Sequence, residues 1–407
     1  MQKLKALELF GGIGACSTAL KRLNINYEIV DYVEIDKYAV KSFNAIHNTN
    51  FEPQDISKWD KDVEVDLIMH GSPCQDFSLA GKQAGGDEGS GTRSSLMYET
   101  IRIVENLKPK YVIWENVKNL LSKTHKHNFD NYLKTLEKLG YTNYYQILDA
   151  KDYEIPQHRE RVFTISIHHK CDEIFTFPIN QTLNSKLKDF LDSDVDEKYY
   201  LTVEQIERIS YWKSYQKPFA HVHGRNSISP TLTARGAGEE HSGMILYSEE
   251  LEDTTNLQNE CLYIKNFTKQ GYLEAHEGDS VYITNIDKKR GTVQKDMIPT
   301  LKTSPDIGVV VEDLRIRKLT PKECFRLMGF NDYEFERASK VNSNAQLYKQ
   351  AGNSIVVNVL QNIFKNLLMK EGKIMEKKEE VKIISYETNL MIDLENLQKK
   401  NLIYLMI

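Results

Sequence analysis

The stretch KALELFGGIGACSTALKRLN, residues 5–24, changes its period in the middle. KALELF (5–10) is an apolar-rich run that reads as a buried strand, and ACSTALKRLN (15–24) spaces its apolar residues as a helix does. FGGIG (10–14) joins them through a glycine turn. A strand entering a helix in this way is half of a βα unit, and the pattern recurs downstream. YEIVDYVEI (27–35) predicts a second strand and DKYAVKSFNAIH (36–47) its helix. DLIMH (66–70) and KYVIWEN (110–116) predict two more strands, with the helical LMYETIRIVENL (96–107) between them. The alternation predicts an α/β fold with a doubly wound parallel sheet. Such sheets bind ligands at the carboxyl ends of their strands.

A chain of 407 residues has room for two domains, or one with a large insertion. From 183 to 313 the strand–helix alternation gives way to turns, polar stretches and short strands, with a weak echo between SPTLTA (229–234) and IPTLKT (298–303). This segment reads as a smaller, strand-rich inserted domain. Around it, 1–182 and 314–369 form the main domain, where RKLTPKECFRLMGF (317–330) and QAGNSIVVNVLQNIF (350–364) return to helical periodicity. Residues 370–407 form a tail without an assigned role.

Composition narrows the class. With 40% hydrophobic and 27% charged residues, no stretch of ~18 apolar residues and no leader-like N-terminus, the expectation is a cytoplasmic protein with no membrane association. The five cysteines are scattered, and none has CxxC spacing, so neither a disulfide framework nor a metal site is expected. A net charge of −5 argues against blanket nucleic-acid affinity but leaves room for a local basic face.

The chemically suggestive groups all fall where a predicted strand ends. FGGIG offers backbone N–H groups at a helix start, suited to a carboxylate or phosphate. Glu34, after the second strand, is either an ordinary surface acid or the acceptor of two ribose hydroxyls. Together they indicate a nucleoside cofactor, and the missing GxGxxG pattern favours adenosine with a short charged tail over a dinucleotide. Cys74, in HGSPCQDFS (70–78), is either a small buried apolar group or a nucleophile on a strand-end loop. Glu115 closes the buried run YVIW, where desolvation raises a carboxyl pKa; it is a proton donor or a structural acid. Gln157, Arg159 and Arg161 alternate in IPQHRERVF, so their side chains share one face of a strand. Two arginines there suit an anion or a thiolate.

Taken in order, these elements resemble the DNA (cytosine-5) methyltransferases of bacteria and phages. The similarity covers roughly 1–180 and 314–368: Phe10 to Gly14, Glu34-Ile35, Asp55-Ile56, Pro73-Cys74-Gln75, Glu115-Asn116-Val117, the Gln157-Arg159-Arg161 strand, the 317–330 helix and GNSIVV at 352–357. The resemblance implies a Rossmann-like methyltransferase sheet, with 183–313 as the target-recognition domain inserted before the C-terminal helices. It implies S-adenosyl-L-methionine as cofactor, leaving S-adenosyl-L-homocysteine, held by Phe10, Gly11, Gly12, Ile13, Gly14, Glu34, Ile35, Asp55, Ile56, Pro73, Leu96, Asn353 and Ser354. Cys74 becomes the nucleophile toward C6 of cytosine and Glu115 the group acting at N3, with Gln157, Arg159 and Arg161 positioning them.

The implied partner is double-stranded DNA, from which the cytosine is flipped, bound by a monomer. Gln75, Ser78 and Arg93, in and after the Cys74 loop, are expected at the DNA, as are Arg225, Thr231, Leu232, Arg235, Lys288, Lys289, Arg290 and Thr300 in the inserted domain. The Gly- and Ser-rich 78–95 reads as a lid closing over the DNA. A cognate restriction endonuclease acting separately is a further expected partner. The rival readings are a tRNA cytosine-5 methyltransferase of the same fold, against which the long insertion argues, and a catalytically silent DNA-binding relative.

Overall fold

The computed structural model describes residues 3–73, 96–202, 261–283, 291–311 and 315–369, all within the unit Met1–Met369. The first half runs β1 (Leu4–Leu9), α1 (Ala15–Arg22), β2 (Tyr27–Val33), α2 (Lys37–His47), β3 (Leu67–His70), α3 (Met97–Leu107), β4 (Tyr111–Val117), α4 (Lys126–Lys138), β5 (Tyr141–Asp149), β6 (Gln157–His158) and β7 (Glu160–His168). Six of these strands form one sheet in the order β2-β1-β3-β4-β7-β5.

Successive residues of a strand face opposite sides, and here both sides are covered. Ala6, Leu67, Met69 and Ile113 enter one core with Ala19 and Leu20 of α1. Leu7, Leu9, Ile68, Val112 and Trp114 enter the other with Ile103 of α3 and Leu136 of α4. That two-sided burial is why these strands read as continuous apolar runs. The sheet departs from the all-parallel expectation at β7, which runs antiparallel to both β4 and β5. The chain between β5 and β7 is too short for a helical crossover, so β7 returns antiparallel.

The second half adds β8 (Leu262–Lys265), β9 (Tyr272–Ala275), β10 (Ser280–Tyr282), β11 (Val293–Gln294), β12 (Ile298–Pro299), β13 (Ile307–Val310), β14 (Ile316–Lys318), α5 (Pro321–Arg326), α6 (Asp332–Ser339), α7 (Asn344–Asn353) and α8 (Val357–Leu368). A small sheet has the order β11-β10-β13-β14, β8 and β9 form a hairpin, and β12 pairs in parallel with β6.

Two helical expectations are corrected. The first residues of 317–330 are a strand, β14, not a helix. Helix α5 starts only at Pro321, because the Thr320 side chain accepts from the Glu323 N–H and the Glu323 carboxylate accepts from the Thr320 N–H. Glu323 also pairs with the buried Arg317 at 2.7 Å. The second correction concerns 350–364, which is two helices parted by extended residues after Asn353. The Arg159 guanidinium donates to the carbonyls of Gly352 (3.1 Å) and Ser354 (2.8 Å), satisfying acceptors that a helix end leaves bare.

Candidate active site

At the end of β1 the Phe10 and Gly11 N–H groups both donate to the Val33 carbonyl, at 2.7 and 3.4 Å, while Ile13 is buried. Gly12 (φ 56°) and Gly14 (φ 83°) lie in the left-handed region, which a side chain disfavours. A Cβ on Gly14 would meet the Phe43 ring at 2.8 Å, whereas one on Gly12 would meet nothing within 4 Å. The turn is therefore packed on one side and open on the other. Tyr32 shapes it by donating its hydroxyl to the Gly12 carbonyl at 2.5 Å.

Glu34 leaves β2 beside that opening. Its carboxylate accepts from the N–H groups of Gly12 (3.2 Å) and Asp36 (2.8 Å), and burial pushes its pKa up. The neighbouring Ile35 is 70% exposed, an apolar side chain presented to solvent at a strand end. The Glu34 carbonyl accepts from the Gln54 N–H at 2.9 Å, which brings Asp55 and Ile56 alongside. Asp55 caps the next turn through the Ser57 N–H at 3.0 Å, and Ile56 is buried. The glycine turn, Glu34 and Asp55-Ile56 thus share one edge of the sheet.

The adjoining strand ends form a second group. After β3 come Gly71, Ser72 and Pro73. The buried Trp114 indole N–H donates to the Ser72 hydroxyl (3.0 Å), and the Asn116 amide donates to the Ser72 carbonyl (3.4 Å). These bonds tie the chain before Pro73 to the end of β4. Glu115 is there, only 12% exposed, with Oε1 3.1 Å from Arg161 Nε across the β4–β7 pair. Burial raises the Glu115 pKa, and the charges of Arg161 and Arg159 oppose the rise.

Gln157 and Arg159 turn inward. The fully buried Gln157 amide donates to the Leu327 carbonyl at 2.7 Å and accepts from the Leu301 N–H at 3.1 Å. Arg159 donates to the Leu301 carbonyl at 3.2 Å as well as to those of Gly352 and Ser354. The Thr300 hydroxyl donates to the His158 carbonyl at 2.9 Å. Residues 298–301 are therefore stitched along β6.

Of the remaining sequence-predicted residues, Leu96 sits at the N-cap of α3, Asn353 ends α7 exposed, and Ser354 is buried. Cys74, Gln75, Ser78, Arg93, Arg225, Thr231, Leu232, Arg235, Lys288, Lys289 and Arg290 lie outside the described residues. The sequence reading passed over Tyr32 and Ser72. Tyr32 looks like one more apolar position in a strand, but the small polar Ser72 directly before Pro73-Cys74 was a usable signal.

A family model described as C-5 cytosine-specific DNA methylase matches residues 4–369. The chain belongs to that family. Among C-5 cytosine methylases it is similar to Type II methyltransferase M2.ScrFI of Lactococcus lactis subsp. cremoris, 33% identical over 421 residues covering 89% of this chain and 99% of that one. It is similar also to orphan methyltransferase M.SPRI of Bacillus phage SPR, 34% identical over 437 residues covering 90% and 98%. A solved structure of a putative DNA modification methyltransferase encoded within an E. coli prophage superposes with a TM-score of 0.56 at 18% identity, covering 90% of this chain and 98% of that one. That of Entamoeba histolytica methyltransferase EhMeth gives 0.55 at 16%, with the same coverage. These two likenesses speak for the fold alone. As a member of the C-5 methylase family the chain is a DNA cytosine-5 methyltransferase, with methyl transfer to cytosine as its reaction. Among the described residues no helix is long and apolar enough to cross a membrane.

Proposed function

We propose that the chain transfers a methyl group from S-adenosyl-L-methionine to C5 of a cytosine flipped out of a specific duplex DNA sequence, with Cys74 as nucleophile and Glu115 acting at N3. The observation that carries this reading is the Glu115–Arg161 pair at the end of β4, beside the chain segment that leads through Pro73 to Cys74.

The cofactor edge fits the proposed group. Gly12 is open, Glu34 is an acceptor already oriented by two backbone N–H groups, and Ile35 offers an apolar surface for a base. When bound, S-adenosyl-L-methionine supplies an electrophilic methyl on a sulfonium. Cys74 adds as thiolate to C6 while Glu115 holds a proton at N3, so that C5 gains the electron pair with which it takes the methyl. Loss of the C5 proton and departure of the sulfur then restore the aromatic ring. Arg161 fixes the Glu115 carboxyl at 3.1 Å, and Gln157 and Arg159 serve as positioning residues through the main chain they hold.

Sequence choice belongs, in this reading, to 183–313, where base-edge contacts contribute ~1–3 kcal/mol each. The test is transfer of label from tritiated S-adenosyl-L-methionine to duplex DNA and to tRNA, with bisulfite mapping of the DNA. Label confined to cytosine C5 in one DNA sequence supports the proposal. Label on tRNA alone overturns it.

A further inference from the structure

The β8–β9 hairpin brings together three side chains that the reaction does not use. The ligand atoms of Cys261, Glu274 and His276 all lie within 4.8 Å of one another. The register explains the meeting: Leu262 faces Ala275 and Tyr263 faces Glu274, so Cys261, one step further, stands opposite His276. Glu274 and His276 are two residues apart and share a face. The other face of the hairpin, with Ile264 and Ala275, is buried in a small apolar core. The three groups therefore stand together on the outer face.

We propose that Cys261, Glu274 and His276 form a binding site for a thiophilic divalent cation of the zinc class. A thiolate, an imidazole and a carboxylate suit such an ion, with water as fourth ligand. Ligands at the corners of a zinc tetrahedron stand about 3.5 Å apart, so small side-chain rotations complete the site. Binding converts the Cys261 thiol to thiolate and releases its proton to solvent. The β9 half is held in advance. The His276 backbone N–H donates to the buried Asp279 carboxylate at 2.8 Å, and Lys295 binds that carboxylate at 2.8 Å and the Glu274 carbonyl at 3.3 Å. The spacing in sequence hides the site, because the hairpin register rather than a CxxC repeat assembles it.

The test is a titration of the full chain with Co²⁺, which reports a thiolate ligand by a charge-transfer band and four-coordination by its visible bands. One equivalent should bind with both signals, be displaced by Zn²⁺, and give the same spectrum in Cys74→Ser. Cys261→Ser should lose the charge-transfer band. His276→Gln, which leaves every thiol in place, should shift the titration to higher Co²⁺. A parent without the thiolate band, a band that survives Cys261→Ser or disappears in Cys74→Ser, or an unchanged titration in His276→Gln overturns the proposal.

Discussion

Arg161 reaches Glu115 diagonally: in the β4–β7 register Arg161 stands opposite Val117, two residues beyond Glu115, yet its Nε lies 3.1 Å from Glu115 Oε1. The guanidinium orients the carboxyl while burial keeps the protonated form accessible.

Glu115→Gln preserves the shape and removes the proton. Single-turnover methyl transfer should slow by ~10²–10⁴-fold with DNA affinity little changed. The raised pKa carries the protonated carboxyl to higher pH, so the contribution is present below that pKa and lost as pH rises through it. A pH–rate profile of the Gln variant should lack this limb. An unaltered single-turnover rate would show Glu115 to be structural.

Gly12 and Gly14 separate binding from folding. Gly12→Ala adds left-handed strain of ~1–2 kcal/mol but no clash. It should therefore weaken S-adenosyl-L-methionine binding in calorimetry far more than it lowers Tm. Gly14→Ala drives a methyl into Phe43 and should lower Tm more than Gly12→Ala does.

Arg159→Lys keeps the charge and loses the fork that spans three carbonyls. We expect a loss of about 1–3 kcal/mol in urea unfolding. A variant as stable as its parent but inactive would mean that Arg159 acts on the reacting groups directly.

Glu8 gives a pH signature of stability. It lies buried in β1, accepts from the Ser17 N–H at 3.0 Å, and is pushed by burial to about 7. An acid whose pKa is raised on folding holds more protons folded than unfolded, so stability falls as pH climbs from about 5 to beyond 7. Glu8→Gln should flatten that slope, by on the order of a few kcal/mol across the window, in denaturation curves at stepped pH. A slope equal to the parent's would place the proton elsewhere.

The strand-end groups were legible because two-sided burial writes β1, β3 and β4 as short apolar runs, so each polar residue that follows marks a carboxyl end. Glu115, after the apolar YVIW of β4, stands out for that reason, whereas Glu34 is marked by the change from the β2 strand to the helix that begins at Lys37. The direction of β7 was not legible, since an apolar run looks the same in either sense. Nor was the inward turn of Gln157 and Arg159. Alternation predicts a shared face, but only tertiary packing decides whether that face meets a ligand or the carbonyls of residues 301, 327, 352 and 354. The strand at 316–318 was masked by the helix that follows it.

The joint along β6 is made almost wholly to main-chain atoms: Gln157 and Arg159 grip the N–H and carbonyl of Leu301, β12 pairs through its backbone, and Gly352 lies against the peptide between Lys302 and Thr303. Every amino acid carries the same peptide group. The polar part of this coupling therefore reads the path of the backbone, while the buried side chains of Ile298 and Leu301 and the Thr300 hydroxyl fix the composition of the seat itself. The buried Gln157 and Arg159 act as a socket of fixed gauge, set by the peptide of Leu301 and the carbonyls of residues 327, 352 and 354.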